Sequence, residues 1–193
     1  MTPLAESLGR ATRVLDSLKL SYALVGGLAI GALLEPRFTR DVDLVVGVAT
    51  DREAERVARA FLSEGFELDS LLQNSSLDCV ATARLFSPVV PRHYVDLLFA
   101  TCGLEPEIAA RARPSEPFPG QQVPVARLGD LIAMKVLARD DQSRPQDRVD
   151  LVNLLAVADA EDLALAREAC RLIQSRGFGR GRDLVGELAA LQG

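Results

Sequence analysis

The sequence has no tryptophan, a single histidine (His93), three cysteines and only two lysines, Lys19 and Lys135. Each scarcity excludes something. Cys79, Cys102 and Cys170 are far apart, odd in number and without a C-x-x-C pair, so neither a disulfide framework nor a zinc site is expected. His93 has no serine or cysteine in a recognisable nucleophile setting, which favours a structural over a catalytic role. No apolar run approaches the roughly eighteen residues of a membrane helix, and no secretory leader is recognisable. Membrane contact is therefore not expected, and a reducing cytoplasm is the expected compartment. Positive charge is in deficit too: the formal net charge of -5 argues against a broad nucleic-acid surface, while leaving room for a local basic patch.

What is present suffices for a folded domain. With 193 residues, 48% hydrophobic and 25% charged, the chain can bury a real core, as one domain or as a core with an appended helical piece. Leu4, Leu8, Ala11, Leu15 and Leu18 recur at the helical period. The stretch YALVG reads as a short buried strand, and GLAIGALLE as a helix that starts at the glycines and stops before Pro36. DVDLVVGV has the β-branched content of a strand, and DREAERVARAFLSEGF the stripe of an amphipathic helix closed by Gly65. FELDSLLQ, DCVATARLFS and HYVDLLFA predict three more strands. Helices and strands alternate early and strands then run together, which predicts an α/β (α+β) fold with a mixed sheet flanked by helices. RPSEPFPGQQVP is rich in proline and glycine, and beyond it four segments carry apolar residues at three-to-four spacing. The expected organisation is an α/β core over residues 1–112, a connection over 113–126 and a helical C-terminal region over 127–193 packed on the core.

The chemistry concentrates in YALVGGLAIGALLEPRFTRDVDLVV. Residues two apart in a strand project from one face, so Asp41 and Asp43 point together while Val42 and Leu44 pack behind them. Two carboxylates in one small space repel unless a hard divalent cation gathers their oxygens. Asp96, an acid among apolar strand residues, is the candidate third ligand, brought in by a neighbouring strand. Gly26 and Gly27 end a strand and open a helix, offering close backbone approach, free amides and a positive dipole end to phosphate oxygens. Neither a Walker loop nor a G-x-G-x-x-G fingerprint is present.

VGG, thirteen residues, then DVDL and a later VDLLF resemble the nucleotidyltransferase superfamily pattern of a glycine turn, a two-aspartate strand and a third aspartate on another strand. LGDLIAMKVLARDDQSRPQDRVDL resembles the lysine helix and the Arg-Pro-x-Asp-x-x-Asp segment of abortive-infection (AbiEii-like) and MenA-type nucleotidyltransferase toxins, so that the likeness spans most of residues 22–155. The resemblance implies a nucleotidyltransferase-like fold and a soluble enzyme that uses a nucleoside triphosphate such as ATP with Mg2+ or Mn2+. It implies catalytic roles for Asp41, Asp43, Asp96 and Lys135, with the three aspartates as metal ligands, and nucleotide contacts from Gly26, Gly27, Thr39, Lys135 and Asp147. Acceptors it allows are tRNA or another RNA end, a protein hydroxyl or a small antibiotic, and it allows a cognate antitoxin as partner. A non-catalytic nucleotide- or partner-binding module of the same fold is the alternative.

Other readings stay open beside these. The glycines could form only a tight turn, and Asp41 and Asp43 a solvated strand edge. Lys135 shares a helical stripe with Leu128, Leu131 and Ile132, so its ammonium needs an anionic partner. That partner could be a triphosphate, or else either Asp147 or Asp150, which lie one turn apart and could instead pair with Arg144. Arg37 and Arg40 flank Asp41 and could touch phosphate. Arg167, Arg171, Arg176, Arg180 and Arg182 could meet RNA or simply face solvent.

Overall fold

A computed structural model of the chain describes residues 1–35, 39–74, 77–140 and 145–192. Two compact units emerge, one of Met1–Thr101 with Glu105–Ala126 and one of Cys102–Leu104 with Arg127–Gly193. Among the described residues, the first holds every strand. Thr2 caps helix α1 (Pro3–Ser17) by accepting from the Ala5 amide, and Pro3 fits the first turn because no amide is needed there. Ala5, Leu8, Ala11 and Leu15 form its buried stripe. Strand β1 (Tyr22–Val25) is buried throughout and leads directly into α2 (Gly26–Leu33). Strand β2 (Asp41–Val46) follows, then α3 (Asp51–Ser63), capped by Thr50 and closed by Gly65 in the left-handed conformation at φ +84°.

Strands β3 (Glu67–Asn74), β4 (Cys79–Phe86) and β5 (Tyr94–Leu98) come next, then a short helix α4 (Glu105–Arg111) that the sequence pattern had not suggested. Two further strands, β6 (Arg113–Phe118) and β7 (Gln121–Val125), complete the unit. Among the described residues the strands form one mixed sheet in the order β3-β4-β5-β2-β1-β7-β6. β2 runs parallel to β5 and β1 parallel to β7, while the remaining neighbours are antiparallel.

The Pro/Gly-rich stretch expected as a connection is therefore a hairpin of the sheet. Its prolines are tolerated because β6 is an edge strand and because β7 pairs with β1 only at Leu24 and Val125, so Pro114 and Pro124 forfeit few ladder bonds. Pro119 and Gly120, the latter at φ +76°, make the turn.

The second unit is helical: α5 (Leu128–Ala138), α6 (Pro145–Val157), α7 (Ala160–Ser175) and α8 (Leu184–Ala190). α5 packs against the other three, which explains why it is apolar almost all round. The backbone of α5 has no side-chain cap at its start, whereas α7 opens with a reciprocal capping box between Asp159 and Asp162. Arg182 donates to the carbonyls of Val136 and Leu137 at the end of α5 and pairs with Glu187. Among the described residues no helix is long and apolar enough to cross a membrane. All three cysteines are free thiols, and burial pushes Cys170 up to about 12.

Candidate active site

Register decides whether the three aspartates can act together. In the parallel pair β2 and β5, Asp43 stands directly beside Asp96, and Asp41 beside Tyr94. Directly paired residues share a face, and Asp41, two positions before Asp43, shares it as well. The three acids thus converge on one side of the sheet, at the start of β2 where Val42 and Leu44 face the other way into the core. Beyond Leu44 the strand is buried on both sides, so the acids occupy its one open end.

The glycine turn is built around one of these carboxylates. Val25, the last residue of β1, pairs with Asp43, and Gly26 follows at φ +66°, a left-handed conformation that side chains disfavour. A Cβ at Gly26 would stand 2.0 Å from Asp43 Oδ2 and 2.7 Å from its Cγ. Only the missing side chain lets the carboxylate rest at the start of α2, where the helix dipole favours negative charge and where Val25 supplies no side-chain cap. Gly26→Ala is expected to lose about 1–2 kcal/mol from backbone strain alone, with a fall in Tm of roughly 5 °C, and to displace Asp43. Thermal denaturation of the purified variant checks this.

Asp96 carries a partner that sequence reasoning missed. Arg84 on β4 lies opposite it and forks its carboxylate, with Nε donating to Oδ1 at 2.8 Å and Nη2 to Oδ2 at 2.5 Å. The guanidinium also lies over Tyr94, 4.8 Å from the ring centre, and Tyr94 stacks on Phe86. The hydrogen bond to Asp96 leads the effects that hold Arg84 protonated even more firmly than an ordinary arginine. The only sequence signal was an arginine amid apolar residues in DCVATARLFS, and its meaning depended on a register that no local pattern supplies.

Asp41 bears the cost of this crowding. Burial first, and then the negative charge of Asp96, raise its carboxyl above the ordinary 3.8. A folded-state value above the unfolded one contributes stability that is full below the unfolded value and is lost as pH rises through the folded value. Asp41 therefore weakens the fold at neutral pH. Asp41→Asn is expected to raise Tm at pH 7 without divalent cations, with the gain shrinking toward zero as pH falls to 3.8. Thermal melts across that range test the sign.

Among the described residues, no group of three or more His, Cys, Asp or Glu side chains is gathered closely enough to hold a metal ion. The three aspartates expected as a triad share one face of the sheet, and Asp96 turns both oxygens to Arg84. The donor chemistry nonetheless fits a hard cation: carboxylate oxygens on one face, one of them seated on a glycine backbone.

In the helical unit, Lys135 Nζ reaches Asp147 Oδ1 at 2.5 Å and Asp150 Oδ2 at 2.8 Å. The Lys135 side chain is 15% exposed and those of Asp147 and Asp150 are 5% and 1%. Both acids thus share the lysine, and Gln146 donates to the second oxygen of Asp150. Arg144, a further expected partner, lies outside the described residues, as does Arg37. The Thr39 hydroxyl bonds its neighbour's backbone, the Asp41 carbonyl, at 3.5 Å. His93 Nδ1 lies 3.2 Å from the Arg40 carbonyl, tying the approaches to β2 and β5 together as a structural residue would. Of the late arginines, Arg171 pairs with Glu168, Arg176 binds the Gly103 carbonyl and Arg182 caps α5, so the cluster is largely spent on its own unit.

Known proteins share this fold. The fold resembles an antigenic nucleotidyltransferase-like protein from Paracoccidioides brasiliensis, with a TM-score of 0.52, 20% identity, and coverage of 95% of this chain and 92% of that one. It also resembles ANT(2")-Ia in complex with adenylyl-2"-tobramycin, with a TM-score of 0.52, 13% identity and 98% of each chain covered. At these identities the likeness concerns the fold alone. No curated protein sequence matches at a significant level. The family described as nucleotidyl transferase AbiEii toxin, Type IV TA system, matches residues 10–186, which hold the glycine turn, all three aspartates and the lysine helix. The chain belongs to the AbiEii nucleotidyl transferase toxin family.

Proposed function

We propose that this protein transfers a nucleoside monophosphate from a nucleoside triphosphate to an acceptor hydroxyl, with divalent cations, Mg2+ or Mn2+, held by Asp41, Asp43 and Asp96. The observation that carries this reading is the pairing of Asp43 with Asp96 beside the Gly26 turn. When bound, the cations would offset the charge of the triphosphate and support in-line displacement. Gly26 and Gly27 present backbone amides to the phosphates. Asp96 is the acid positioned to accept the proton of the attacking hydroxyl as its oxygen bonds to the α-phosphorus and the bond to pyrophosphate breaks. Orientation and charge neutralisation, rather than covalent catalysis, supply most of the acceleration. Thr39, Lys135 and Asp147 are assigned to nucleotide contact on the family resemblance.

Membership of a toxin family supports an RNA end, tRNA among them, as acceptor and a cognate antitoxin as partner. Incubation of the protein with α-labelled triphosphates, Mg2+ and cell extract tests this. Label entering the RNA fraction is the expected result. Label in protein or in small molecules alone would replace the acceptor, and label in no fraction, with every triphosphate tried, would overturn the activity.

A further inference from the structure

We propose that Arg84 is a positioning residue of this site, whose guanidinium and a divalent cation compete for the carboxylate of Asp96. The proposal rests on the metal-dependent reading above and adds to it an internal control on how tightly the site takes its cation.

Three features carry it. First, the sheet register fixes Arg84 opposite Asp96 and beside the face shared with Asp41 and Asp43, so the arginine belongs to the acidic site itself. Second, the fork uses both Asp96 oxygens, at 2.8 and 2.5 Å, and the Asp96 side chain is only 8% exposed. A buried carboxylate needs a positive partner, and an oxygen that accepts from a guanidinium offers a metal one lone pair fewer and less negative charge, so the two cations oppose each other at Asp96. Third, Arg84 is 38% exposed and lies on the face of Tyr94, itself stacked on Phe86. A guanidinium that leaves Asp96 keeps the aromatic face and access to water, so its release leaves no buried unpaired charge. Arg84 thus holds Asp96 in a fixed rotamer until a cation replaces it.

The test is direct titration of nucleotide-free full-length protein with Mn2+, followed by the loss of the free-ion electron paramagnetic resonance signal. Arg84→Gln is expected to bind Mn2+ about tenfold more tightly than wild type, the factor a partly exposed bidentate pair can supply. Arg84→Lys keeps a charge but loses the fork, and should show a smaller gain in the same direction; it carries the test if the glutamine variant does not fold. In an Asp96→Asn background Arg84→Lys, which keeps the positive charge beside Asp41 and Asp43, should change nothing. Equal or weaker binding by the Arg84 variants, with wild type binding measurably, overturns the competition alone. Absence of Mn2+ binding in every protein overturns it together with the metal-dependent reading.

Discussion

Asp43→Asn is expected to reduce nucleotidyl transfer by about a thousandfold, with the fold retained, and Asp41→Asn to do the same. Asparagine preserves the volume and planarity of the side chain, so at position 43 it can still rest over Gly26. What it removes is the charge that would hold a hard cation between the triphosphate and the sheet. Both substitutions act on one face of β2, and the double variant should therefore be little worse than either alone, as expected for residues that work as a unit. Initial rates of α-label incorporation, with circular dichroism as the folding control, measure this. A double variant keeping a tenth of the wild-type rate would remove these aspartates from the chemistry. The opposing effects anticipated for Asp41→Asn, a lost activity and a raised Tm at neutral pH, would separate a functional carboxylate from a structural one.

Lys135→Met should cost stability on the scale of about 3–5 kcal/mol, seen as a fall in Tm of roughly 10 °C. Methionine matches the length of the stem but leaves two acidic side chains, 5% and 1% exposed and one helical turn apart, without the ammonium they share. Removing one partner of a buried ionic cluster is far more damaging than replacing the cluster entirely. The triple variant with Asp147→Asn and Asp150→Asn should accordingly recover much of the loss. Urea denaturation without nucleotide measures both. A single variant within about 1 kcal/mol of wild type would show that other groups carry these charges.

How much of this could be read beforehand depended on distance along the chain. The helical stripe of α1, the strand alternation around Asp41 and Asp43, and the glycine that closes α3 are local patterns with periods of two or three to four residues, and they appear where the sequence indicated. The need of Lys135 for an anionic partner was legible because it sits in an otherwise apolar helix; that two acids would answer it together was not. Asp96 beside Asp43 and Arg84 opposite Asp96 both depend on strand pairing, which no short window encodes. The prolines of β6 and β7 spoke for a loop, because their penalty depends on which strand edges remain unpaired in the finished sheet.

The fork between Arg84 and Asp96 has a bearing on how the chain matures. Because its most buried site aspartate is born with a covalently tethered counter-ion, the sheet can close around it without recruiting anything from solution. Folding and metal supply are then uncoupled, in contrast to proteins whose native state forms only on loading. Newly synthesised molecules would reach their native shape in a chelator as readily as in magnesium.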